Sequence, residues 1–178
     1  MRLFLSLLIF FALQASAINS SGNYSRSGFD EPEFVAEASI NLASSFSESF
    51  ENWPPTGWSF VTPDGGKGWQ RVETGTSPLP GWSTGTVNIP PGGGKYVAYD
   101  TLTTTGASRN DQWLISPATT ISAGDSLSFW MTAQGTALYS DHVEVRISTT
   151  GKNVSDFTDR ILDINFLAGV GYPWKKYK

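Results

Sequence analysis

The chain of 178 residues has no cysteine and one histidine, His142. The first absence excludes disulfides, a thiol nucleophile and any zinc site built on sulfur. A catalytic serine triad would have to be assembled around His142, and no nucleophile-elbow sequence accompanies it. Basic residues are also few, with 12 Lys and Arg against 16 Asp and Glu, a net charge of −4 and no basic stripe. That argues against nucleic-acid binding, which depends on neutralising phosphates. No segment carries an apolar stripe at helical spacing over a useful length. The apolar run at residues 3–13 is shorter than the roughly 20 residues that cross a bilayer.

That run reads instead as the core of an export signal. Arg2 precedes it, and Ala15-Ser16-Ala17 follows as a small-residue cleavage site. Cleavage after Ala17 would leave 11 basic against 16 acidic residues, a net charge of −5. The expected location is secreted or at the cell surface, with no transmembrane segment after cleavage. Residues 18–45 are rich in Ser, Asn, Ala and Glu without a sustained period, and read as a flexible arm or linker. Residues 46–178 form the expected domain. Its last residues, Tyr172-Pro173-Trp174-Lys175-Lys176-Tyr177-Lys178, open a strand with Trp174 facing inward and no turn after it. The domain is therefore expected to be incomplete at its C-terminal end, with an open sheet edge able to pair with another chain or domain.

Glycine and proline are plentiful, 18 and 10 residues, and punctuate the chain as in loop-rich all-β proteins. Between them lie strand-like runs at 58–61, 69–72, 95–99, 112–116, 126–132, 142–148 and 159–166. Two alternate clearly: Leu127, Phe129 and Met131 are interleaved with small polar residues, and Val143, Val145 and Ile147 with His142, Glu144 and Arg146. A period of two puts one set on a buried face and the other in water. Residues 153–159 suit one helical turn capped by Asn153 or Ser155. Residues 74–94 read as a long exposed loop, a common seat of binding. Short strands with long loops predict an all-β fold, a jelly-roll β-sandwich.

The sequence Asp141-His142-Val143-Glu144 invites an active-site reading, but alternation sends Asp141 and Glu144 to opposite faces of one strand. Paired carboxylates for glycoside hydrolysis must face each other across at most about 10 Å. The bland reading, a solvated strand face of His142, Glu144 and Arg146, is preferred. Seven tryptophans are present. Trp58, Trp69, Trp113 and Trp130 lie in strand contexts and are expected in the core. Trp82, in the long loop, and Tyr139, in a turn region, are the candidate ligand-binding residues, open to a glycan or protein; the alternative is a loop packed down by its own aromatic. Asn19, Asn23 and Asn153 each begin an Asn-x-Ser sequon.

Several short motifs recur in a fixed order. Ser49-Phe50-Glu51-Asn52 is followed by Pro55, Gly57-Trp58 and Gly68-Trp69. Then come Asn110-Asp111-Gln112-Trp113-Leu114-Ile115-Ser116-Pro117, Leu127-Ser128-Phe129-Trp130, Ser148-Thr149-Thr150-Gly151 and Ser155-Asp156-Phe157. Together they resemble the cleaved-adhesin, or choice-of-anchor J, domains found in gingipain haemagglutinin regions, which are themselves similar to MAM-type jelly rolls. The resemblance covers about residues 46–178. It implies a secreted, calcium-bearing β-sandwich used in adhesion, or as an ancillary module of larger surface proteins. Glu51 matches the family's N-terminal acidic position, and Asn110 with Asp111 precedes its central strand, so these three are the candidate calcium ligands. Calcium takes six to eight oxygens. The alternative for Glu51 and Asp111 is capping or turn hydrogen bonding. The Asp64 loop departs from the family, holding a single carboxylate in Asp64-Gly65-Gly66-Lys67-Gly68. The function expected is a non-catalytic module that binds an extracellular protein or glycan. The alternative is a carbohydrate-binding accessory module, or a fragment of a larger secreted surface protein or enzyme.

Overall fold

The computed structural model describes residues 9–10, 47–100, 110–121, 124–133 and 140–178. Nine strands run through them: β1 Ile9–Phe10, β2 Ser59–Val61, β3 Gln70–Glu73, β4 Tyr96–Tyr99, β5 Trp113–Ile115, β6 Phe129–Ala133, β7 Asp141–Ile147, β8 Asp159–Phe166 and β9 Tyr172–Tyr177. Among the described residues the one helical element is a single 3-10 turn, Val154–Asp156, where one helical turn is expected. The backbone N–H of Asn153 donates to Asp156 Oδ2, closing that turn. The all-β class predicted by the strand pattern is the observed one.

Hydrogen bonding groups these strands into one three-stranded sheet, β1-β5-β2, and three pairs, β3-β4, β6-β9 and β7-β8. Trp174 lies in β9, which runs antiparallel to β6, so the C-terminal strand expected at residue 172 is present and paired. Of the expected export signal only Ile9 and Phe10 are described; their backbone pairs in parallel with Leu114 and Ile115 and lies beside β7. The expected arm at 18–45 falls outside the described residues.

The alternation of β7 and β8 translates directly into packing. Val143 and Val145 are fully buried, and Ile164 and Phe166 of β8 join them. Leu114 of β5 and Met131 of β6 complete this cluster, with Phe60, Trp69 and Phe129 packed around it. A second, smaller cluster joins Trp113 and Ile115 to Phe157.

Two expectations are corrected. Trp130 is 44% exposed, because it falls on the opposite face of β6 from Phe129 and Met131. Residues 74–94 do not simply lie over the sheet. The Gly75 N–H donates to the Val87 carbonyl, the Val87 N–H to the Thr76 carbonyl and the Leu79 N–H to the Thr84 carbonyl. That fold-back buries Leu79 and Val87 against Val72 and Val97, making a third apolar cluster. Alternation cannot show such a cluster, since the apolar residues are scattered among Gly and Pro.

Candidate ligand-binding cleft

Asp141, at the start of β7, has the same parity as Val143 and Val145 and so faces inward with them. The strand ladder satisfies its backbone, pairing it with Phe166, but Oδ1 is buried without a hydrogen-bond partner. Burial alone raises its pKa from the usual carboxylate value to about 6. Sequence parity separates Asp141 from Glu144; it does not show that an acid on the inner face keeps one oxygen without a hydrogen-bond partner.

Asp141 looks into a cleft of about 520 Å3, whose walls come from the β4, β6, β7 and β9 regions and the 74–94 loop. Trp82 and Trp174 are both in the lining. Trp82 was expected to be exposed; it is instead half-buried, resting on the Leu79–Val87 cluster with Trp174 and Tyr99. It still reaches the cleft, so the loop is both packed down by its aromatic and part of a wall. Tyr99 is fixed by a 3.0 Å hydrogen bond from its hydroxyl to the Pro80 carbonyl, tying β4 to the loop. The indole N–H of Trp174 is buried and has no acceptor. Tyr139, the other expected ligand-binding residue, lies outside the described residues.

Phe50 also lines the cleft and holds a φ of 62°, the left-handed region that non-glycine residues seldom enter. Its N–H donates to Glu48 Oε1, and its ring stands edge-on to Trp58. Strained backbone of this kind is over-represented at functional sites.

The expected calcium ligands are engaged in hydrogen bonds. Glu51 Oε1 accepts from the backbone N–H groups of Lys95 and Tyr96, at 2.8 and 3.2 Å, capping the start of β4. Gly94 permits this approach: its φ is +120°, and a Cβ there would stand 2.9 Å from Glu51 Oε1. Asp111 Oδ1 accepts from the Trp113 indole, and the Asp111 N–H donates to Asp64 Oδ2. The same Asp64 oxygen accepts from Gln112 Nε2. Asn110 differs: it is only 4% exposed, and neither atom of its amide has a hydrogen-bond partner. An orphaned buried amide fits an oxygen-loving cation, whereas Glu51 and Asp111 already accept hydrogen bonds, Glu51 from the distant N–H groups of β4 and Asp111 from the Trp113 indole.

On the outer face of β7 and β8 the ionic side chains are locked together. Glu144 accepts from Arg146 Nε at 2.7 Å and from Arg160 Nη1 at 3.0 Å. Arg160 also reaches Asp163 at 2.6 Å, and Asp163 meets His142 Nε2 at the same distance. A bulge between Val145 and Arg146 turns Ile161 outward, 51% exposed, and sets the two arginines opposite each other across one carboxylate. Burial opposes the ionisation of Glu144, but hydrogen bonds from Arg146 and Arg160 outweigh it and hold its pKa below the usual value. His142, Glu144 and Asp163 lie close enough to share a metal. Two arginines already neutralise the carboxylates, and a guanidinium cannot shed its charge to make room. The solvated strand face expected here is thus a knitted ionic surface.

These motifs have known counterparts. A profile of the Cleaved Adhesin Domain matches residues 43–173. The chain belongs to the cleaved adhesin domain family. It is 35% identical over 129 residues to gingipain R1 of Porphyromonas gingivalis, covering 71% of this chain and 7% of that protein. Lys-gingipain of the same organism shows the same identity and coverage. Hemagglutinin A of Porphyromonas gingivalis is 31% identical over 121 residues, covering 66% of this chain and 5% of its own length. The cleaved adhesin chain thus spans less than a tenth of these relatives. No solved structure matches it. Among the described residues, no helix is long and apolar enough to cross a membrane.

Proposed function

We propose that this cleaved adhesin domain is a non-catalytic adhesion module, secreted or displayed at a cell surface, that holds an extracellular protein or glycan in the cleft beside Trp82 and Trp174. The observation that carries the reading is the cleft itself: aromatic walls that include Trp82 and Trp174, with the acid Asp141 among the lining residues. Ligand sites combine apolar surface with a few convergent polar groups in this way. The acid and histidine expected of a hydrolase sit instead in the β7–β8 ionic surface, where Arg146 and Arg160 tie up Glu144. The names of the relatives, gingipain and hemagglutinin, support a place within larger surface-acting proteins.

The test is binding of the purified chain to immobilised extracellular-matrix proteins and to a glycan array, with Trp82→Ala alongside. Saturable binding to one of them that the substitution weakens supports the reading. Turnover of a bound glycan or peptide, or no binding to any surface, would overturn it.

Calcium forms a second part of the proposal. Asn110 and Asp111, with Glu51, would hold it, and the ion would stiffen the approaches to β4 and β5. Support comes from the orphaned amide of Asn110. The check is the thermal midpoint with excess calcium against chelator: a native-state site raises it by mass action, and no shift removes the claim.

A further inference from the structure

The cleft's charge is one-sided. Its charged lining residues are Glu48, Asp100 and Asp141, and no Lys, Arg or His lines it among the described residues. Arg71 and Lys95 lie against the ring of Tyr96 from outside that lining. Both are otherwise engaged, Arg71 with the Glu51 carbonyl and Lys95 with Glu73. We propose that the cleft recognises the side chain of an arginine or lysine presented by an extended peptide, with Asp141 as counter-charge. This rests on the adhesion reading and narrows its ligand class.

Three features favour a cationic peptide over a neutral sugar. First, a neutral ligand would cover Asp141 and deepen its desolvation without supplying charge, whereas a cation offsets that cost. Second, the aromatic walls suit the long apolar stem of Lys or Arg, and indole faces attract a cation directly. Third, the charged side chains in the lining are all carboxylates among the described residues, so a cationic donor is the complement that the cleft does not itself supply.

The experiment is a fluorescence titration of the intact protein with three probes: acetyl-Gly-Arg-Gly-amide, acetyl-Gly-Gln-Gly-amide and a neutral galactose-containing oligosaccharide. Saturable change with the arginine peptide, at least roughly tenfold weaker with the glutamine peptide, is expected from loss of a charge-assisted contact. Asp141→Asn should remove a similar factor for the arginine peptide and leave the glutamine peptide nearly unchanged. Equal affinity of wild type and Asp141→Asn for the arginine peptide, or no arginine-peptide binding, would overturn the inference. Saturation by the oligosaccharide alone would also overturn it and make the cleft a glycan site, leaving the adhesion reading standing. Failure of adhesion itself would show separately, as absence of binding to every surface in the matrix and glycan panel. Circular dichroism of Asp141→Asn confirms that a loss is not unfolding.

Discussion

Replacing Asp141 by asparagine should stabilise the protein at neutral pH. The carboxyl is pushed up from 3.8 to about 6 by burial. At roughly 1.4 kcal/mol per unit, its ionisation costs the folded state about 3 kcal/mol above pH 6. The sign follows from proton counts. Between about pH 4 and pH 6 the folded state holds a proton that the unfolded state has released, so this residue's contribution falls as pH rises through that window. Below it, Asp141 is neutral in both states and the penalty vanishes. Asparagine removes the ionisation but buries an amide in its place, at a cost of about 1 kcal/mol. The net gain at pH 7 should be about 2 kcal/mol, a rise in the urea midpoint on the order of 1 M. The assay is urea unfolding of both proteins from pH 3.5 to 7.5, read as the difference between them. A difference that does not change with pH, or a variant less stable than wild type at pH 7, would refute the reasoning. A buried acid kept at such a cost while its substitution weakens arginine-peptide binding would be a residue retained for recognition.

Other outcomes follow from the same geometry. Glu144→Gln should destabilise by about 1–3 kcal/mol at pH 7 by urea unfolding, since it leaves Arg146 and Arg160 without their shared carboxylate. The carboxylate pKa values of Glu144 and Asp163 are held low, so their stabilisation is complete above the usual carboxylate range. It is lost as pH falls through the lowered values, and acid unfolding of wild type should therefore steepen there relative to Glu144→Gln. Gly94→Ala places a Cβ against Glu51 Oε1 in a left-handed backbone and should cost about 1–3 kcal/mol, read as a lower thermal midpoint. Leu79→Ala should cost about 2–5 kcal/mol by urea unfolding and shift tryptophan emission to the red, because Leu79 anchors the loop that carries Trp82.

Strand identity was largely legible because β7 and β8 bury one face only. Val143, Val145, Ile164 and Phe166 occupy the positions that a period of two assigns them. The seat of Glu51 and Asp111 was half legible. Capping or turn hydrogen bonding was the alternative to calcium, but the N–H groups that they accept from are a distant strand start for Glu51 and an indole for Asp111. The loop at 74–94 was not legible as a packed unit, since its hydrogen bonds join residues by registers that Gly and Pro leave open. The ionic surface was misjudged in degree. Alternation puts His142, Glu144 and Arg146 on one face, yet only the partner strand and its bulge bring Arg160 and Asp163 to them.

The sequence by itself determined the all-β class, the inward and outward sides of the long strands, and the family to which the chain belongs. Those follow from local alternation and short ordered motifs. Tertiary structure alone decided that Asp141, Trp82 and Trp174 share one cleft. They come from β7, a folded loop and β9, and no local pattern records that one oxygen of an inward carboxylate will be buried without a hydrogen-bond partner.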